Sequence, residues 1–231
     1  MKICIIMPAY NEGKVIHKVI LNVKSILANS SHSFEIVTIN DASKDNTHKE
    51  AIKGGATVID HLLNCGAGSA TATGLYYALN NGFDIAATMD ADGQHSVEDV
   101  LNGIDEIIKR DHDLLVGSRL INKTGMSTSK IIGNTGLSVI TYLLFGVNST
   151  DSQSGLRIYS RKALEQLRWR TSGYEFCSEM LWRAKQANLK VSEYPIKAIY
   201  TEYSKSKGQN NWNAINIIKS LLKQRIVELL G

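Results

Sequence analysis

Along most of the chain, short runs of β-branched and apolar residues alternate with longer stretches of helical periodicity. The run at 3–7 is followed by a helical stretch at 13–29, that at 34–40 by 45–54, and that at 57–61 by 69–81. The run at 83–89 is followed in turn by 97–110, where Ser96 and Asp99, three positions apart, form a capping box. Further strands are predicted at 114–117, 156–159 and near 190–199, with helices near 161–169 and 176–188. Such alternation predicts βαβ units, hence a mainly parallel sheet covered by helices. An apolar stretch at 137–147 is a further candidate helix.

The last segment behaves differently. Ile215, Ile218, Leu222, Ile226 and Leu229 fall on one helical stripe, whereas Lys219 and Lys223 fall off it. Such a helix packs on its own domain, lies on a membrane, or docks onto a partner protein. With no internal repeat or Pro/Ser-rich linker, the expected organisation is one domain over 1–210 with an amphipathic helix at 211–231.

Composition narrows the class. A 231-residue chain that is 43% hydrophobic, with 18 Gly but only 2 Pro, is long enough for a real core and is neither collagenous nor disordered. The balance of 26 basic against 22 acidic residues, 26 − 22 = +4, is too weak to argue for nucleic acid. Cys4, Cys65 and Cys177 stand far apart without zinc-ligand spacing and read as reduced thiols, which points to the cytoplasm. The apolar run behind Met1 is too short for a signal peptide. The longest uncharged apolar stretch, 11 residues, falls short of the ~20 that a spanning helix needs.

The most informative chemistry lies where the apolar run at 83–89 stops at Asp90-Ala91-Asp92-Gly93-Gln94-His95. Ligands of open α/β sheets bind outside the carboxyl ends of the strands. Two carboxylates one residue apart can reach a single point there, where they repel each other unless a cation intervenes. Hard oxygen donors suit Mg²⁺ or Mn²⁺. A solvated acidic turn would explain an isolated pair equally well.

Other motifs follow in a fixed order: Pro8 to Glu12, Ile39 to Thr47, Asn64 to Gly68, Gly117-Ser118-Arg119, Asp151 to Arg157, and Glu175 to Glu179. As an ordered set, over roughly residues 3 to 208, they resemble glycosyltransferase family 2, and within it the polyprenyl-phosphate sugar transferases. That resemblance implies a GT-A fold, a UDP- or GDP-hexose donor, a divalent metal, and inverting transfer to a polyprenyl phosphate on the cytoplasmic face of a membrane. It implies a nucleotide-sugar site of Pro8, Tyr10, Glu12, Asp41, Gly68, Asp90, Ala91 and Asp92, with Lys205 and Lys207 closing on the donor phosphates. Asp41 would accept a base N–H, although an Asx turn or helix cap is an equally local use for it.

Asp90, Asp92 and Gln94 would be the metal ligands, with His95 beside them rather than among them. Arg119 would meet phosphates. Asp151, with Ser154 and Arg157 in the same motif, and Glu179 are the candidate acceptor-side groups. A phosphate acceptor is already ionised at neutral pH, so Asp151 is expected to position or to act as a weak base, with Glu179 as its rival. A saccharide hydroxyl acceptor, as in cell-wall or capsule synthesis, would instead need one of these carboxylates as a true base. A non-catalytic nucleotide-sugar binding subunit is the remaining alternative. The chain departs from the family at Ala67, where a basic residue is usual, and at Asn40 and Ala42, which replace Asp and Gly. With no spanning helix in view, a small integral membrane partner or an oligomer is expected to supply the anchor.

Overall fold

The computed structural model describes residues 1–123, 125–200, 203 and 211–230, excepting the side chains of 211–215 and 229–230. The central strand, β1 (Lys2–Ala9), is completely buried from Ile3 to Met7. It pairs in parallel with β2 (Ser33–Asn40) on one side and β4 (Ile85–Thr88) on the other. Its residues alternate between two cores, as the pleat requires. Ile3, Ile5 and Met7 enter one core, and Cys4 and Ile6 the other. Burial on both faces is why this strand reads as a continuous apolar run.

The seven strands lie in the order β3-β2-β1-β4-β6-β5-β7, with β3 (Thr57–Asp60), β5 (Leu114–Ser118), β6 (Arg157–Ser160) and β7 (Val191–Pro195) completing the sheet. Only β6 runs antiparallel to its neighbours. That exception brings the stretch from Asp151 to Leu156, which precedes β6, to the edge where the parallel strands end.

The core shared by α1 (Ile16–Leu27), α2 (Thr47–Gly54) and α4 (Val97–Arg110) covers one face of the sheet. On the other face lie α3 (Ala67–Asn80), α5 (Thr128–Phe145), α6 (Arg161–Gln166), α7 (Phe176–Gln186) and α8 (Asn211–Leu230). Ser96 caps α4 as expected, its Oγ accepting from Asp99 N at 3.3 Å. Helix α5 begins at Thr128, well before the apolar stretch that announced it, and stops at Gly146, whose φ of +65° suits glycine.

Helix α8 packs along α5, and of the expected stripe Ile218 lies against the core. Its buried residues are Ile217 and Leu221, whereas Leu222 and Ile226 are exposed beside Lys219 and Lys223. The helix therefore carries one apolar strip inward and a second, lysine-flanked one outward.

Candidate active site at the strand ends

Beyond β4 the chain turns through Asp90 to His95 before entering α4. His95 is buried and holds this turn: its Nδ1 accepts the backbone N–H of Asp90 at 3.0 Å, leaving Nε2 3.6 Å from Asp90 Oδ2. Gln94 donates its backbone N–H to Asp92 Oδ1 at 3.0 Å and its side-chain amide to Oδ2. Burial, and then the charge of Asp90, push the Asp92 carboxyl above its ordinary pKa. Gly155, in the segment before β6, makes the approach possible, because a Cβ there would lie 2.5 Å from Asp90 Oδ1. A half-exposed carboxylate and a second one destabilised by it form a hard-oxygen donor set that a divalent cation would relieve. The residues thus fit the expected metal.

Arg119, just past β5, meets Asp151 from the segment before β6. Nε donates to Oδ2 at 2.7 Å, Nη2 to Oδ1 at 2.9 Å, and the backbone N–H of Arg119 to Oδ2 at 3.1 Å. Asp151 is completely buried, so its pairing with Arg119 is bidentate and dry. The carboxylate raises the guanidinium pKa against the opposing effect of burial. Ser149 and Thr150 are held in turn by Glu193 of β7, which accepts from Ser149 Oγ and Thr150 Oγ1 at 2.6 Å each. Thr150 Oγ1 also lies 2.6 Å from Ser118 Oγ. The segment that carries Asp151 is therefore braced from β7 through Glu193 and from β5 through Ser118. Ser154 Oγ is buried without a partner among the described residues.

Lys130, in the first turn of α5, stacks on the Tyr200 ring at 3.8 Å. Its pKa is lowered, by burial first and then by the Arg119 charge, with the charge of Asp92 opposing, so Lys130 is within electrostatic reach of both. Sequence reasoning missed Lys130, because it stands in a polar stretch with no motif. It also missed Tyr203, whose O–H donates to Glu12 Oε2 at 2.9 Å. Glu12 lies beyond β1 with Tyr10, which is half exposed, and Pro8 is the next-to-last residue of the strand.

Glu179, read as an alternative base, is fully buried. It accepts from the backbone N–H groups of Arg170 and Thr171 and from Arg183 Nε, at 2.8 to 3.1 Å. The turn it holds supports the first turn of α3: Gly68 donates its N–H to Ser172 O at 2.7 Å and its carbonyl accepts from Trp169 Nε1 at 3.2 Å. Arg157 is likewise internal, donating to Ser152 O, Ser154 O and Cys177 O. Ala91 is buried in the turn, and Lys205 and Lys207 lie outside the described residues.

Asp41, at the end of β2, is occupied by the next loop. Oδ1 accepts from Cys65 N at 2.8 Å and lies 2.7 Å from His61 Nδ1, while Oδ2 accepts from Gly66 N at 2.8 Å. Ligating atoms of Asp41, His61 and Cys65 lie within 4.8 Å of one another, but the hydrogen bonds account for the cluster without an ion. Ala42, where glycine is usual, adopts a left-handed φ of +56°.

The model of Glycosyl transferase family 2 matches residues 4–168 of the chain. A UDP-N-acetylglucosamine--dolichyl-phosphate N-acetylglucosaminyltransferase of Methanococcus voltae is 41% identical, over 99% of this chain and 98% of its own length. An undecaprenyl-phosphate mannosyltransferase of Micrococcus luteus is 27% identical, over 90% and 87%. Among solved structures, a Mycobacterium tuberculosis glucosyl-3-phosphoglycerate synthase bound to Mn²⁺, UDP and glucosyl-3-phosphoglycerate superposes with a TM-score of 0.71 at 18% identity. That match covers 97% of this chain and 79% of the synthase.

Proposed function

The chain belongs to glycosyltransferase family 2 and is a glycosyltransferase, and from that premise we propose that it transfers a hexose from a UDP- or GDP-sugar to a polyprenyl phosphate, with inversion. The observation that carries the acceptor assignment is the state of its candidate bases. Asp151 is closed off by Arg119 and Glu179 by two backbone N–H groups and Arg183, so neither stands ready to take a proton. A hydroxyl acceptor needs such a base, whereas a phosphate is already an anion. The Methanococcus relative, similar over nearly its whole length, is named for a dolichyl-phosphate acceptor.

In this reading Pro8, Tyr10, Glu12 and Asp41 bind the nucleoside, and Asp90, Asp92 and Gln94 hold a divalent cation, Mg²⁺ or Mn²⁺, against the diphosphate. When bound, the cation supplies Lewis-acid support to the departing nucleoside diphosphate. Arg119 and Lys130 offer the positive charge that brings the acceptor phosphate up to the sugar despite the donor's own charge. A phosphate oxygen then bonds to the anomeric carbon from the face opposite the leaving group, as the bond from that carbon to the diphosphate oxygen breaks. Asp151 and Glu179 act as positioning residues, the first aiming Arg119 and the second fixing the turn behind the donor loop. Lys205 and Lys207 remain the candidates to close over the donor phosphates.

The test is an extraction assay. Purified protein, Mg²⁺ or Mn²⁺ and detergent-solubilised polyprenyl phosphate are incubated with labelled UDP- and GDP-sugars, and label entering the organic phase is counted. We expect label from one donor, lost on chelation and in Asp92→Asn. Metal-dependent transfer to a saccharide, with no lipid label, would overturn the acceptor assignment.

A further inference from the structure

An ionised carboxylate has about four acceptor positions, two on each oxygen. On Asp41, Oδ1 accepts from Cys65 N and lies against His61 Nδ1, and Oδ2 accepts from Gly66 N. The 2.7 Å contact puts the imidazole proton on Nδ1. Nε2, 2.9 Å from Thr73 Oγ1, then accepts that hydroxyl's hydrogen. His61 is thereby held as a donor to Asp41 by a helix residue on its far side. The side chain of Asp41 keeps 5% of its surface exposed, and among the described residues three of its four acceptor positions are filled.

We propose that His61 sets the base selectivity of the donor pocket: by filling the second position on Asp41 Oδ1 it leaves one acceptor position, on Oδ2, which suits uracil and not guanine. The inference rests on the reading of Asp41 as the group that meets the donor's base. Uracil offers a single ring N–H. Guanine offers two parallel N–H donors, which ordinarily engage both oxygens of one carboxylate. Here the second donor would be buried without a partner, at a cost equivalent to about tenfold or more in affinity. Cytosine and adenine turn a ring-nitrogen lone pair toward the carboxylate beside their amino group, and are repelled. Of the two donor classes open to the chain, His61 thus selects uridine.

The test is calorimetric titration of the full chain with UDP and with GDP, each with Mn²⁺. Wild type is expected to bind UDP at least about tenfold tighter than GDP. His61→Ala vacates the position on Oδ1, so the UDP-to-GDP ratio should collapse toward one. His61→Asn, whose amide N–H can stand in for Nδ1–H, should restore most of it. A purely structural His61 would weaken both nucleotides alike in both variants and leave the ratio unchanged, which overturns the proposal. GDP binding as tightly as UDP to wild type would overturn it too, while the transferase reading would stand. If wild type bound neither nucleotide, the donor reading itself would fail and take this inference with it.

Discussion

At the scale of single residues, the carboxylate turn depends on an atom that is missing. Gly155 leaves room for Asp90, whose Oδ1 would lie 2.5 Å from any Cβ at that position. Gly155→Ala must therefore displace the Asp90 carboxylate from its present place, with no apolar contact removed from either core. Displacement of a reacting group by about 1 Å can cost on the order of 100-fold in rate. We expect a loss of that size in lipid-linked product, with the circular dichroism spectrum unchanged and Mn²⁺-dependent donor binding weakened. Retention of activity within about threefold would show that Asp90 does not need its present place. The motif D-x-x-S-G-L-R is legible as text, but the use of its residues is not. Asp151 is read from the sequence as a positioning group or weak base, and in the fold it is a buried partner of Arg119. Glu179 is read as the rival base and is fully buried under two backbone N–H groups. A sequence shows which groups ionise, whereas only the packing shows which are already spoken for.

At the scale of elements, legibility follows burial. Strand β1 and helix α4 announce themselves because both carry dense apolar positions at the proper period, and α4 adds its cap. Ser96→Ala should remove that cap at a cost of about 1 kcal/mol. In a chain of this size the thermal midpoint should fall by roughly 2–4 °C, readable by calorimetry, while UDP affinity stays within about twofold. A larger loss of nucleotide binding would mean that the cap also sets the Asp92-Gly93-Gln94 turn. The direction of β6 was not legible, since alternation shows that a strand exists and not which way it runs. The early start of α5 was hidden for a different reason. Its first turns carry Lys130 and two glycines, Gly133 and Gly136, on an open face with nothing within 4 Å of where their Cβ atoms would lie. Helix α8 was legible as an amphipathic helix but not in its facing, because apolar residues lie on two sides of it.

At the scale of the whole molecule, no helix among the described residues is long and apolar enough to cross a membrane. On the acceptor assignment proposed above, a polyprenyl chain has to stay in lipid while its phosphate reaches the site. Helix α5 joins the two requirements, with Lys130 in its first turn near Arg119 and Asp92, and Ile132, Val139, Tyr142 and Leu143 exposed along its length. Leu143 is 73% exposed and Ile132 67%, although a surface helix normally turns such side chains inward. Helix α8, packed beside α5, adds Leu222, Ile226 and Val227, together with Lys219 and Lys223, which suit an anionic surface. Burying one leucine or isoleucine in lipid contributes about 1.5–3 kcal/mol, so two such side chains decide whether this face holds. The double variant Leu143→Glu, Ile226→Glu replaces two exposed side chains and leaves both cores intact. It should lower binding to anionic-lipid vesicles at least tenfold in a flotation assay, while UDP binding in solution stays unchanged. Wild-type-like flotation of the double variant would move the anchor elsewhere, to another surface or to a membrane partner. Failure of the wild-type protein itself to float would make the partner obligatory, because the acceptor phosphate cannot otherwise meet Lys130 and Arg119.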